Sequence, residues 1–160
     1  MKLSDLLHML PYQRISGALN REICGMALDS RQVREGYAFI ACQGSVTDGH
    51  RFINDALQRG AGAVICSGAA GAVPDSVAVI RMACTAEILT QLAQRMYGQP
   101  PCALIGVTGT NGKTTTAYIT RHFLSQAGWP CGLLGTVVYE FGARCIPAAR
   151  TTPDVFELHR

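Results

Sequence analysis

The stretch that decides the fold is Ala103–Thr116, with the sequence ALIGVTGTNGKTTT. An apolar run, Ala103–Val107, is followed by a loop of small and polar residues, Thr108–Gly112, and Lys113–Thr116 then begins a helical pattern. This order predicts a strand, a loop and a helix. Backbone N–H groups of such a loop, together with the positive end of the following helix, form a concave site for an anion.

The residue types in this loop fit the phosphates of a nucleoside triphosphate. Lys113 would place its ammonium beside the outer phosphates, and the Thr114 hydroxyl can bind the accompanying Mg2+. The strict phosphate-loop pattern needs a glycine at position 107, where this chain has Val107. A Gly-rich turn before an ordinary helix therefore stays open as an alternative.

Composition bounds the class of protein. The chain has 160 residues, of which 48% are hydrophobic and 16% are charged, so it can bury a core and is not expected to be disordered. The net charge is +3 and the basic residues are scattered, which argues against a nucleic-acid partner. No apolar run approaches the roughly 20 residues of a membrane span, and Met1–Asp5 lacks the apolar core of a signal peptide. We therefore expect a cytoplasmic protein.

The seven cysteines form no C-x-x-C pair, and several lie in apolar, strand-like runs. This pattern predicts buried free thiols rather than metal ligands or disulfides.

The first hundred residues alternate between strand patterns and helix patterns. This alternation predicts an α/β fold with a mostly parallel sheet. The predicted strands are 23–28, 37–42, 63–66 and 77–80, and the predicted helices are 3–10, 52–57 and 85–98.

Two polar segments follow the predicted strands. Asp29–Arg31 brings a carboxylate, a hydroxyl and a guanidinium to the end of a strand, where open α/β sheets bind ligands. An ordinary polar turn with Ser30 as a cap is the alternative. Gly44–His50, a loop of small and hydroxylic residues, follows the next strand.

Gln99–Pro101 indicates a domain boundary, because two prolines after a helix-ending glycine stop the helix. We predict a first domain over 1–98 and the start of a second over 101–160, with a strand at 131–139. A helix begins at Val155 after Thr151–Pro153. One strand-helix-strand unit cannot cover both faces of a parallel sheet, so we expect the front part of a longer protein.

Several motifs resemble those of the Mur ligases, the ATP-dependent enzymes that add amino acids to the peptidoglycan precursor. The loop GTNGKT is similar to the nucleotide loop of this family. The strings LDSR, REGYAFIACQG, DGHRF and RGAGAVI resemble the uridine-binding N-terminal domain of its third and fourth members, MurE and MurF. The loop GTNGKTT and the later TTP are more similar to the MurE branch.

The resemblance implies a small N-terminal α/β uridine-binding domain, followed by the first strand, loop, helix and strand of a truncated P-loop parallel-sheet ATPase domain. It implies a cytoplasmic ATP- and Mg2+-dependent ligase of cell-wall synthesis, active in cell shape and division. Such a ligase adds the third peptide residue to UDP-N-acetylmuramoyl-L-alanyl-D-glutamate through an acyl phosphate. A MurF-type fragment and a non-catalytic nucleotide-binding module are the alternatives.

The family's functional residues carry over position by position. For the UDP-sugar the resemblance implies Leu28 and Ser30, and the loop residues Ser45, Val46 and Thr47. For ATP it implies Gly109, Thr110, Asn111, Gly112, Lys113, Thr114 and Thr115, with Lys113 catalytic and Thr114 a metal ligand. For the muramoyl dipeptide it implies Thr151 and Thr152. Arg150 stands where the family often has asparagine. The family's further magnesium ligands and its amino-acid-binding domain have no counterpart here, so we expect binding without ligation by this chain alone.

Overall fold

A computed structural model of the chain describes residues 1–44, 47–99, 102–148 and 151–159. The described chain forms two compact units. Unit 1 comprises Met1–Gln99 together with Val155–Arg160, and unit 2 comprises Pro100–Asp154.

Unit 1 is a five-stranded sheet with helices on both faces. Its helices are α1 (Leu3–Leu6), α2 (Ile53–Gln58), α3 (Ala86–Tyr97) and α5 (Val155–His159), where α5 follows the single helix of unit 2. Its strands are β1 (Gln13–Ser16), β2 (Gly25–Ala27), β3 (Tyr37–Ala41), β4 (Ala63–Cys66) and β5 (Ala78–Arg81).

The sheet has the order β1-β5-β4-β3-β2, in which β2 to β5 are parallel and β1 is antiparallel to β5. The predicted α/β class with a mostly parallel sheet is therefore confirmed. The sequence did not predict β1. Its residues Gln13–Ile15 are exposed, so the strand lacks the apolar pattern that identifies its neighbours.

Successive residues of a strand point to opposite faces, and this alternation divides the core in two. Ala38 and Ile40 belong to a cluster that also contains Leu3, Leu6 and Leu92 from α1 and α3. On the other face, a second cluster contains Phe39, Ala41, Val64, Ile53 and Ala56, of which the last two come from α2.

Helix α3 begins and ends as its sequence predicts. The Thr85 hydroxyl accepts a hydrogen bond from the Ile88 backbone N–H, and Gly98 follows the helix with a φ of +85°. These are the capping contacts that satisfy the first and last turns of a helix.

Helix α5 belongs to the compact unit formed by the first hundred residues. Phe156 is only 2% exposed and packs in the same cluster as Leu92 and Met26. The sequence assigned this segment to a second domain from chain order alone. The division into a UDP-sugar-binding and an ATP-binding domain stays a prediction.

Unit 2 contains α4 (Lys113–Gln126) and a three-stranded antiparallel sheet of β6 (Leu133–Leu134), β7 (Val138–Phe141) and β8 (Arg144–Pro147). The single strand predicted over 131–139 is wrong. The chain turns after Leu134, with Gly135 N–H bonded to the Val138 carbonyl.

A two-residue turn joins β7 to β8, because Phe141 pairs with Arg144. Gly142 has a φ of +57° at the first central position, where such hairpin turns need a residue that tolerates positive φ. Gly142 was therefore a signal for the hairpin that the sequence contained and that the predicted single strand did not take into account.

The strand predicted at Ala103–Val107 does not form among the described residues, and this prediction is wrong. Residues 103–107 have no strand assignment, and Leu104 and Ile105 are 58% and 67% exposed. An extended segment becomes a strand only by hydrogen bonding to a neighbour, and no described segment pairs with this one.

All seven cysteines are free, but only Cys66 is buried, so the prediction of buried thiols is wrong for the others. Cys24, Cys102 and Cys145 are exposed. Among the described helices, none is long and apolar enough to cross a membrane.

Candidate functional site

Two glycines give the predicted phosphate loop its shape. Gly109 and Gly112 have φ values of +150° and +76°. Gly112 is the residue before α4, and nothing lies within 4 Å of a Cβ built on it, so the left-handed backbone and not crowding favours glycine there.

Lys113 turns its side chain back over this loop. Its Nζ donates to the Gly109 carbonyl oxygen at 2.6 Å and to the Thr110 carbonyl oxygen at 3.3 Å. The ammonium thus lies at the mouth of the loop, beside the N-terminus of α4. Both contribute positive potential where a phosphate would bind.

The remaining residues predicted to bind ATP lie in the same place. Thr114 is half-buried, whereas Asn111 and Thr115 are exposed. The first intrahelical bond of α4 runs from Thr116 N–H to the Gly112 carbonyl, so the amides before Thr116 have no intrahelical acceptor. This arrangement of amides, ammonium and hydroxyl can bind a polyphosphate.

No group of three His, Cys, Asp or Glu side chains in the described residues could hold a metal ion by itself. A hydroxyl oxygen combined with phosphate oxygens is nevertheless a donor set that Mg2+ accepts. Thr114 therefore fits a Mg2+ that arrives with a nucleotide.

In unit 1 the carboxyl ends of the parallel strands bring a second set of predicted residues together. Beyond β2, Asp29 and Arg31 form a tight turn in which Asp29 Oδ1 accepts from the Arg31 N–H at 3.0 Å. The Arg31 guanidinium pairs with the same carboxylate at 2.7 Å, which raises the pKa of Arg31.

Ser30 is the buried polar residue of this turn, at 5% exposure. Its hydroxyl donates to the Asp55 carboxylate of α2, and this hydrogen bond lowers the pKa of Asp55. Leu28 lies just before the turn and packs against the core cluster of β3 and α1. At the far end, Gln32 Nε2 donates to Glu157 Oε1 at 2.6 Å.

The loop after β3 is closed at its base by backbone bonds. Gln43 and Asp48 form an isolated antiparallel bridge, and Gly49 N–H donates to the Cys42 carbonyl at 2.9 Å. A Cβ on Gly49 would lie 2.7 Å from that carbonyl oxygen, so only glycine fits. Thr47 is exposed within this loop.

Ser45 and Val46, predicted UDP-sugar contacts, lie outside the described residues, and so does Arg150. Thr151 and Thr152 are described and exposed, and they fall within the range of unit 2.

Sequence reasoning missed His50, which joins two loops of unit 1. Its Nδ1 lies 2.5 Å from Asp48 Oδ1, and its Nε2 accepts from the Gly68 N–H at 3.0 Å. This pairing makes Nδ1 the donor to the carboxylate and lowers the pKa of Asp48. The Asp-Gly-His spacing, in which Asp48 also accepts from the His50 N–H, was the available signal.

A surface depression of about 310 Å³ adjoins this histidine. His50, Arg51 and Asn54 line it together with the small residues Ala69–Ala72. The Arg51 guanidinium and the Asn54 amide can donate hydrogen bonds to an anionic group bound beside the loop after β3.

Comparisons with known proteins match two successive segments of the chain. Residues 22–97 match the family described as "Mur ligase family, catalytic domain", and residues 107–160 match "Mur ligase middle domain". The chain is similar over 160 residues, at 42% identity, to a UDP-N-acetylmuramoyl-L-alanyl-D-glutamate--2,6-diaminopimelate ligase of Geobacter sulfurreducens. This match covers 99% of the chain and 31% of that ligase.

Ligases of the same name from other bacteria are also similar. That of Clostridium perfringens is 37% identical over 99% of the chain and 33% of its own length, and that of Aquifex aeolicus is 40% identical over 93% and 30%. A solved structure of such a ligase matches with a TM-score of 0.69 at 27% identity, over 99% of this chain and 32% of that one. The chain thus spans about a third of the length of the curated relatives that it matches.

Proposed function

The chain belongs to the Mur ligase family, and from this premise we propose that it supplies the UDP-sugar-binding and ATP-binding parts of a MurE-type ligase. The ligase would be a cytoplasmic enzyme that joins the third peptide residue to UDP-N-acetylmuramoyl-L-alanyl-D-glutamate during peptidoglycan synthesis. The observation that carries the proposal is the loop at Gly109–Gly112, with the Lys113 ammonium held over it at 2.6 Å from a loop carbonyl.

Unit 1 would hold the UDP part of the substrate. The buried Ser30 hydroxyl and the apolar Leu28 lie at the end of β2, and the loop that contains Ser45, Val46 and Thr47 follows the neighbouring strand β3. Hydroxyls and main-chain amides suit a uridine diphosphate, and the open end of parallel strands is where such sheets bind ligands.

The loop of unit 2 would hold ATP. When ATP binds, the Lys113 ammonium would donate to phosphate oxygens in place of the Gly109 and Thr110 carbonyl oxygens. The loop amides and the N-terminus of α4 would stabilise the remaining negative charge of the phosphates. Mg2+ bound with the nucleotide at Thr114 would supply further neutralisation of the phosphates.

The reaction that these parts serve has two steps. The D-glutamyl carboxylate attacks the γ-phosphorus of ATP, so that an acyl phosphate forms and ADP leaves. An incoming amine then attacks the acyl carbon and releases phosphate. Lys113 would stabilise the negative charge on the transferring phosphoryl group in the first step. Thr151 and Thr152 would bind the muramoyl dipeptide through their hydroxyls.

Titration calorimetry tests the proposal on the whole 160-residue chain. UDP-N-acetylmuramoyl-L-alanyl-D-glutamate should bind to the wild-type chain. Ser30→Ala should weaken this binding at least tenfold, because the hydrogen bond between the buried Ser30 hydroxyl and the substrate is lost. The control Ser76→Ala, at an exposed serine, should leave the binding unchanged. ATP with Mg2+ should bind, and Lys113→Ala should abolish that binding whereas the control Lys2→Ala should leave it unchanged. Tighter binding of the UDP-muramoyl-tripeptide than of the dipeptide would favour a MurF-type ligase.

An activity assay completes the test. The purified 160-residue chain should not ligate diaminopimelate or lysine to the dipeptide substrate, because it spans only about a third of the length of the ligases to which it is similar. Turnover of all three substrates would contradict this part of the proposal.

A further inference from the structure

We propose that Glu157 of α5 is a positioning residue for the Ser30–Gln32 turn, which it holds in the conformation that receives the UDP-sugar. This inference rests on the proposed function, since it assumes that Ser30 contacts the UDP part of the substrate. It assigns a role in the first ligand site to a residue 125 positions further along the chain.

The turn needs support because of where it lies. It follows β2, and β2 is an edge strand of the sheet, so a neighbouring strand is present on one side only. The bonds between Asp29 and Arg31 join residues two positions apart and cannot fix the turn relative to the sheet.

Side chains of the turn reach two helices in the part of the chain that the structure describes. The Ser30 hydroxyl interacts with the Asp55 carboxylate of α2 and lowers its pKa, and Gln32 Nε2 donates to Glu157 Oε1 of α5. The second is a short contact of 2.6 Å between an amide N–H and a partly buried carboxylate, and hydrogen bonds to an ionised acceptor are the strong ones. The turn is therefore held at both ends, by helices on opposite faces of the sheet.

The residues on either side of Glu157 anchor helix α5. Phe156 is 2% exposed in the core cluster that contains Leu92 and Ala93 of α3. His159 Nδ1 lies 2.8 Å from the Val155 carbonyl oxygen, one helical turn back. Because Phe156 anchors α5 in the core, Glu157 offers Gln32 a hydrogen-bond acceptor on a helix that is fixed relative to the sheet.

The consequence for binding is a change in the fraction of molecules whose turn is ready for the ligand. If only a fraction of the molecules has the binding conformation, the apparent affinity is the intrinsic affinity multiplied by that fraction. Glu157→Ala removes the acceptor, whereas Glu157→Gln keeps an oxygen that can accept from Gln32. We expect the UDP-sugar dissociation constant to rise about fivefold for Glu157→Ala and to return to within about twofold of wild type for Glu157→Gln.

A second readout does not depend on the ligand. The Gln32 and Val33 amides donate to the Asp29 and Ser30 carbonyls at 3.0 and 3.1 Å within the turn. Hydrogen exchange of the segment containing these amides should become about tenfold faster in Glu157→Ala. Exchange in β3 and β4 should stay as in wild type. The exposed Glu87 of α3 provides the control Glu87→Ala, for which both readouts should remain unchanged.

The possible outcomes separate the two proposals. If wild type binds the UDP-sugar and Glu157→Ala binds equally well with unchanged exchange of the turn, the positioning role is refuted and the proposed function stands. If wild type does not bind the UDP-sugar, the proposed function fails, and with it the role of Glu157 in ligand binding. Faster exchange throughout unit 1 in Glu157→Ala, without rescue by Glu157→Gln, would show a general structural role and refute the positioning role.

Discussion

Replacing Phe156 by alanine should destabilise unit 1 and leave unit 2 intact. The Phe156 side chain is 2% exposed, so almost all of its surface is removed from water on folding. Phenylalanine-to-alanine changes in a core cost about 3–5 kcal/mol, which combines the lost transfer free energy with the cavity left behind. Alanine is the better helix former by up to about 0.7 kcal/mol. We therefore expect a net loss of about 3 kcal/mol in the free energy of unfolding of unit 1.

Hydrogen exchange measured by mass spectrometry is the suitable assay, because it reports each unit separately. The one tryptophan of the chain, Trp129, lies in unit 2, so its fluorescence does not report the unfolding of unit 1. A loss of about 3 kcal/mol corresponds to roughly hundredfold faster exchange of the slowest amides of β3 and β4. Exchange in α4 should not change.

Phe123→Ala is the matched control, because Phe123 is 68% exposed on α4. Such a surface substitution should change stability by no more than about 0.5 kcal/mol. If Phe156→Ala instead accelerates exchange in α4 and spares β3 and β4, then α5 does not belong to unit 1 and the reasoning is refuted.

Three further predictions follow from local contacts. Gly112→Ala should weaken ATP binding and speed exchange in the first turn of α4, because a φ of +76° costs a side-chain-bearing residue about 1–2 kcal/mol; unchanged exchange would contradict this. Among the half-buried thiols, iodoacetamide should modify Cys84 before Cys42, as followed by peptide mass spectrometry, because the hydrogen bond between them lowers the pKa of Cys84 and raises that of Cys42; the reverse order would count against it. NMR titration of Asp48 should give a pKa below the ordinary value of about 3.9. Because the pKa of Asp48 is lowered in the folded state, the contact between Asp48 and His50 should persist above the ordinary pKa of about 3.9. The contact should be lost, and the His50 amide should exchange faster, as the pH falls through the folded-state pKa. A measured pKa at or above about 3.9 would exclude the contact.

Much of unit 1 can be predicted from the sequence, because the residues that determine each helix or strand lie within that element or next to it. The apolar runs at β3 and β4 are short and flanked by turn residues, and parallel strands buried on both faces read as continuous apolar segments. The Thr85 cap and Gly98 mark the ends of α3 within one turn of the helix. The glycines and Lys113 of the nucleotide loop are likewise close neighbours in the sequence, so the loop could be predicted without any distant contact.

The features that sequence did not predict depend on distant partners. The edge strand β1 is recognised only through its pairing with β5, and the Gln32–Glu157 contact joins segments 125 residues apart. Residues 103–107 have the composition of a strand, yet a strand also needs a neighbour to which its amides can bond. The β7–β8 hairpin is the exception, since Gly142 was visible in the sequence.

Amide chemical-shift mapping by NMR would test the central claim most directly. Adding UDP-N-acetylmuramoyl-L-alanyl-D-glutamate to the labelled chain should shift the amides of residues 28–32 and 47–50, and adding ATP with Mg2+ should shift those of 109–116. Lys113→Ala should abolish the second set of shifts and leave the first unchanged. If the UDP-sugar leaves residues 28–32 unperturbed, or if ATP shifts nothing at 109–116, the assignment of these two ligand sites is contradicted.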